Sequence, residues 1–298
     1  MTLYSAFNKF IFSKRLKGLV DKSIKDYTDF ITPMIRNLGF DLEIEDLTND
    51  MICDYILSLY DKPKSIATLS TYIRNIKIFL KWLEKKYNIS VSAKDIEVPK
   101  MEKKLVHIYS QDEILLIFRS ATSENEWLTT RNRAIIFLML DSGLRQNEIC
   151  TLQFDDVDFQ NNVLKVHGKG RKERLVYLGN TSSSLLKKYI RLCPYHSTLM
   201  FVGRRGAPMT TDSVKHLVYK ISKKLPFEFS SHKLRHNFAT NFCIDQYKQH
   251  GYMDVYRLMA LMGHEDFKTT QRYLHHAMEI VSALENNSHI DMIFKSII

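Results

Sequence analysis

The sequence predicts a mainly α protein with a small antiparallel β-sheet, built as an N-terminal helical domain followed by a mixed α+β domain. Three observations point that way. Residues 1–95 show helix-period apolar patterns and no strand pattern. The stretch "AKDIEVPKMEKKLVHIY" holds a proline and a run of lysines without any period, which marks residues 96–109 as a linker. Over residues 110–298, helical patterns are broken once, by three short β-patterned runs between residues 155 and 179.

Each element follows from local chemistry. "SIKDYTDFITPMIRNLGF" is a helix that stops at glycine, and "TNDMICDYILSLY" is one that starts from a Thr/Asn cap. The longest N-terminal pattern, "SIATLSTYIRNIKIFLKWLEKKYNI", sets Leu69, Ile73, Ile76, Leu80 and Leu83 at helical spacing. Ser70, Arg74, Lys77, Lys81 and Lys85 fall on a different face. That stripe is either a solvated surface or a track for a phosphate backbone, with Arg74, Lys77 and Lys81 as candidate contacts. "SQDE" at residues 110–113 is a capping box that opens the second domain. "DDVDF", "NNVLKVHG" and "ERLVYLG" follow as strands, the last two joined by a Gly-rich basic turn into a hairpin. Helices resume at "SSSLLKKYI".

Composition narrows the function. Forty-three Lys and Arg stand against 33 Asp and Glu, a formal charge of +10, and the excess is present in both domains. A polyanionic partner touched by the whole molecule, most simply nucleic acid, fits that balance. Cys53, Cys150, Cys193 and Cys243 are scattered without a C-x-x-C pair, which argues against a zinc ribbon or disulfide framework and suits a reducing cytoplasm. The start of the chain mixes charge into its apolar run and has no small-residue cleavage site. No run reaches membrane-spanning length, so a cytoplasmic protein with no membrane partner is expected.

Four constellations carry polar chemistry. In "DSGLRQNEICTL", Arg145 follows an apolar run and Glu148 stands one helical step on, a natural partner for a half-buried guanidinium. In "VHGKGRKERLVYLG", Lys169 lies between glycines at the hairpin tip, solvated or free to swing. In "SSHKLRHNFATNF", a cap at Ser231 would set His232, Arg235 and His236 on one face, with Leu234, Phe238 and Phe242 toward the core. His-x-x-x-His spacing suggests zinc, but Lys233 follows the first histidine where zinc proteases carry a glutamate, and no third ligand is near. A helix start presenting histidine and arginine suits a phosphate oxyanion better. Finally, "LMALMGHEDFKTTQRYLHHAM" ends a helix at Gly263, places His264 in the turn and carries Tyr273 on a second short helix.

Taken together, Arg145, Lys169, His232, Arg235, His264 and Tyr273 stand in the order and approximate spacing of the tyrosine recombinases, the phage integrase family, in its Xer-like branch. The chain resembles that family over nearly its whole length. Departures are Ser142 and Asn147 where Thr and Ser are more usual, and a longer stretch over residues 241–260, expected as a loop. The resemblance implies a helical core-binding domain over 1–95, a linker over 96–109 and a catalytic domain over 110–298, closing as a C-shaped clamp on double-stranded DNA.

The resemblance further implies that Tyr273 attacks a DNA phosphodiester to give a 3′-phosphotyrosyl link, with no cofactor and no metal. Arg145 and Arg235 would bind the non-bridging oxygens, His264 would hydrogen-bond the same phosphate, His232 would act as general base, and Lys169 would protonate the departing 5′ oxygen. Glu148 and His236 would support the site. Ile290, Ile293, Phe294 and Ile297 repeat at helical spacing and, by resemblance, would dock into a neighbouring protomer of a tetramer on paired recombination sites. A DNA-binding protein without catalysis and a topoisomerase of the related tyrosine type are the competing readings.

Overall fold

The computed structural model describes residues 1–61, 65–89, 91–100, 106–168 and 172–284. Contacts divide the chain into two compact units, 1–104 and 105–298.

The first unit holds α1 (Leu3–Leu16), α2 (Asp21–Leu38), α3 (Asn49–Ser58) and α4 (Ile66–Tyr87). Side-chain caps at Thr2, Thr48 and Ser65 start three of them, and Gly39 and the left-handed Asn88 stop α2 and α4. Leu69, Ile73, Ile76, Leu80 and Leu83 are buried against Phe7, Phe10, Ile31 and Ile35. The polar stripe of α4 divides. Ser70 is fully buried and donates to the Pro99 carbonyl at 3.1 Å, and the Lys77 ammonium is bound to the Ile96 carbonyl, whereas Arg74 and Lys81 are exposed. What covers Ser70 and Lys77 is the segment after the helix, whose Val91, Ala93 and Ile96 pack into the same core.

The second unit opens with α5 (Gln111–Ser120) on the Ser110–Glu113 capping box, then α6 (Glu126–Asp141) and α7 (Gln146–Thr151). Strands β1 (Val157–Asp158), β2 (Val163–His167) and β3 (Glu173–Tyr177) form an antiparallel sheet in the order β1-β2-β3, with Lys165 opposite Leu175. Then come α8 (Asn180–Leu192), α9 (Thr211–Ser222), α10 (Ser231–His250), α11 (Val255–Met262) and α12 (Phe267–Leu284).

Three expectations are corrected here. The cap of α10 is Ser230, not Ser231. Residues 241–260 are not a long loop. α10 runs on to His250 until Gly251 stops it in the left-handed region, and Asp254 caps α11 immediately after. The helix carrying Tyr273 is 18 residues long rather than short. One core cluster joins α6, the sheet, α8 and α9; a smaller one joins α10, α11 and α12 around Ala239, Leu258, Met262 and Ala277.

Candidate active site

The turn between α6 and α7 fixes the first part of the site. Gly143 has φ +64, and a Cβ there would lie 2.4 Å from Cδ1 of Phe238 on α10, so only glycine lets the turn approach so closely. Two residues on, the Arg145 backbone caps α7 by donating to Glu148 Oε2 at 2.8 Å, while its Nη1 donates to Oε1 at 3.0 Å. Glu148 is only 4% exposed and takes a second, bidentate pair of bonds from Arg174 on β3, at 2.8 and 2.9 Å. Burial alone pushes its carboxyl pKa up, but the Arg174 and Arg145 bonds outweigh that and hold it below the ordinary carboxylate value.

Arg235, 6% exposed on the second turn of α10, reaches the Gly143 and Met262 carbonyls, and its Nη2 lies 3.4 Å from Nε2 of His264. Desolvation first, then the neighbouring Arg145 and Arg174, lowers its pKa to about 10. His264 leaves α11 through the left-handed Gly263, and its Nδ1 lies 2.9 Å from Thr270 Oγ1. An arginine can only donate, so Nε2 must face it as the acceptor and Nδ1–H donates to the threonine. Burial and the arginines Arg235 and Arg145 push the His264 pKa down to about 4, so the ring is neutral at pH 7.

Tyr273, 2% exposed on α12, packs between two imidazoles: the His236 ring centroid is 4.9 Å away and the His264 ring lies parallel at 6.1 Å. Its hydroxyl accepts from Arg272 Nη2 at 3.0 Å. His236 is likewise driven to about 4, by burial first and then by Arg272 and His232. His232 is exposed on the first turn of α10, where Ser231 accepts a 2.8 Å bond from Gln146 and ties α7 to α10. Lys169 lies outside the described residues. Lys172, three residues further along the chain, bonds Glu265 next to His264 at 2.5 Å.

The structure thus gathers Arg145, Glu148, Arg235, His236, His264 and Tyr273, with His232 at the first turn of α10. Arg174, Thr270 and Arg272 were not predicted. Arg174 alternates inward along β3 between Glu173 and Leu175, a signal in "KERLVY" that strand periodicity could have exposed. Among the described residues, no three His, Cys, Asp or Glu side chains are grouped to hold a metal ion, and no helix is long and apolar enough to cross a membrane.

Residues 108–279 match the phage integrase family. The tyrosine recombinase XerD of Oceanobacillus iheyensis is 29% identical over 295 residues, covering 92% of this chain and 94% of that one. The tyrosine recombinase XerC of Syntrophus aciditrophicus is 27% identical over 252 residues, covering 80% and 79%. Among solved structures, a lambda integrase dimer bound to a COC′ core site shares the fold with a TM-score of 0.73 at 20% identity, over 92% of this chain and 95% of that chain.

Proposed function

Because this chain belongs to the phage integrase family, we propose that it is a site-specific DNA recombinase of the tyrosine class, with Tyr273 as its nucleophile. One observation supports this most directly. Three guanidinium groups, Arg145, Arg174 and Arg235, converge where a single described carboxylate, Glu148, answers them. Arg174 and Arg235 are largely buried and Arg145 is half-exposed, and such a surplus of positive charge is costly unless an anion completes it. A phosphodiester, and still more its pentavalent transition state, supplies that charge.

In the proposed step the Tyr273 oxygen bonds to phosphorus and the bond from phosphorus to the 5′ oxygen breaks. The arginine forks bind the non-bridging oxygens. His232 takes the phenolic proton and Lys169, outside the described residues, returns one to the 5′ oxygen. A phosphate beside His264 raises that ring's affinity for a proton, so that Nε2–H can donate to it. Tyr273 must first leave its place between His236 and His264, since a buried hydroxyl bound by Arg272 cannot reach DNA. The 3′ linkage and assembly as a tetramer on paired sites are part of the same proposal. The docking segment at residues 290–297 lies outside the described residues.

The test uses a duplex selected by the protein from a randomised library and nicked to trap the adduct. Wild type should become covalently attached and Tyr273→Phe should not, while both bind the duplex alike. Absence of any adduct on the selected duplex would leave a binding protein. Adduct without strand exchange between two such duplexes would indicate a topoisomerase.

A further inference from the structure

We propose that Asn237 and His276 are positioning residues for strand cleavage. They bind the main chain of residues 106–109 and thereby pin α12, with Tyr273 on it, to α10. The inference rests on Tyr273 being the nucleophile.

The main chain entering the second unit is held from both helices. His276 Nε2 donates to the Val106 carbonyl at 2.7 Å. Asn237 Nδ2 donates to the His107 carbonyl at 3.0 Å, and its Oδ1 accepts from the Tyr109 amide at 2.7 Å. The same Asn237 amide also donates to the Lys233 carbonyl, 2.9 Å away on its own helix, so both of its donors and its oxygen are used. Asn237 is fully buried. The bound segment is itself anchored: Tyr109 lies in the core against Phe227 and Phe229, and its hydroxyl donates to the Glu228 carbonyl at 3.1 Å. It is therefore a fixed strut between the helices rather than a loose end.

The two residues stand beside the proposed chemistry without touching it. Asn237 follows His236 and is two residues from Arg235. His276 follows Tyr273 by three residues, nearly one turn, so its tie acts on the turn that holds the nucleophile. Once the Tyr273 side chain has swung out from between the imidazoles, the spacing of α10 and α12 sets how far its oxygen stands from the arginine-bound phosphate. A displacement of about 1 Å in such a geometry costs roughly a hundredfold in rate. His276 Nδ1 makes no hydrogen bond and has the Glu279 carboxylate 3.7 Å away, so the hydrogen bond the ring makes is the Nε2 tie to Val106.

The experiment uses the full chain and three variants: Asn237→Ala, His276→Phe and His276→Gln, whose amide nitrogen can occupy the Nε2 position. Amide hydrogen exchange over Phe267–Leu284 is measured without DNA, and adduct formation on the nicked, library-selected duplex is measured under single turnover. Asn237→Ala and His276→Phe should exchange faster in α12 and form adduct more slowly, each by about tenfold. Duplex affinity should hold, and His276→Gln should recover both rates. The effect of Asn237→Ala on α12 is decisive, because none of its hydrogen bonds reaches that helix. Wild-type exchange and cleavage in these variants would overturn the proposal, as would a His276→Gln no better than His276→Phe. Should Asn237→Ala fail to fold, the two His276 variants decide alone. If the wild-type protein gives no adduct, the nucleophile reading falls, and α12 exchange still decides whether the strut holds that helix.

Discussion

Glu148 accepts four hydrogen bonds, two from Arg145 and two from Arg174, at a depth where water cannot substitute for them. Removing one partner of a buried pair leaves the other charged and unsolvated. Glu148→Ala should therefore lose about 3–5 kcal/mol in urea unfolding, and a loss within error of zero would show that Arg174 has another counter-charge. The two imidazoles flanking Tyr273 give a second handle. His236 and His264 are both lowered to about 4 from the ordinary 6.5. The folded state thus binds fewer protons at these rings than the unfolded chain does. Their contribution to stability is whole above about pH 6.5 and is lost as pH falls toward 4. Between pH 7 and pH 5 the melting temperature of wild type should drop more than that of His264→Gln. Equal drops would mean that His264 is not held neutral by the fold.

At the scale of elements, the α6–α7 turn aligns two arginines at once. Its Gly143 carbonyl accepts from Arg235, and Arg145 follows two residues later. Gly143→Ala would put a Cβ into Phe238 in a backbone region unfavourable to side chains, at an expected cost on the order of 1–3 kcal/mol. Stability in urea and adduct yield should fall together. An alanine variant as stable as wild type would show that the turn has room. Much of this scaffold was legible in the residues. Thr48 and the Ser110–Glu113 box announce helix starts, and two of the β-patterned runs pair antiparallel as β2 and β3. Arg145, Arg235, His264 and Tyr273, far apart in the chain, come together in the fold, and their order is what suggests the proposed site. What stayed hidden was whatever another element covers. Periodicity placed Ser70 and Lys77 on a polar face of α4 but not under residues 96–99. It likewise gave no sign that Tyr273 would be sealed between imidazoles from α10 and the α11–α12 turn. α10 outran its expected length because it is buried on several sides and meets no helix breaker before Gly251. Contacts of that kind are set by tertiary packing across many residues, which a local window does not contain.

Over the whole molecule, the formal charge of +10 sets how the protein meets DNA before any site is recognised. Each phosphate neutralised by a lysine or arginine releases counterions, so affinity for a short random-sequence duplex should fall linearly on a log–log salt plot. The first unit offers a way to see which charges take part, because its stripe on α4 is not equivalent along its length. Arg74 and Lys81 are exposed, whereas the Lys77 ammonium is committed to the Ile96 carbonyl. Arg74→Ala and Lys81→Ala should each flatten the salt slope by about 1 and weaken binding evenly across sequences. Lys77→Ala should leave the slope alone and instead loosen the segment after α4, which hydrogen exchange near Ile96 would report. Anisotropy titrations over a salt series give the slopes. A Lys77→Ala slope reduced as much as that of Arg74→Ala would mean that DNA draws Lys77 away from its carbonyl. The stripe would then act as one surface rather than as two exposed cations flanking a structural one.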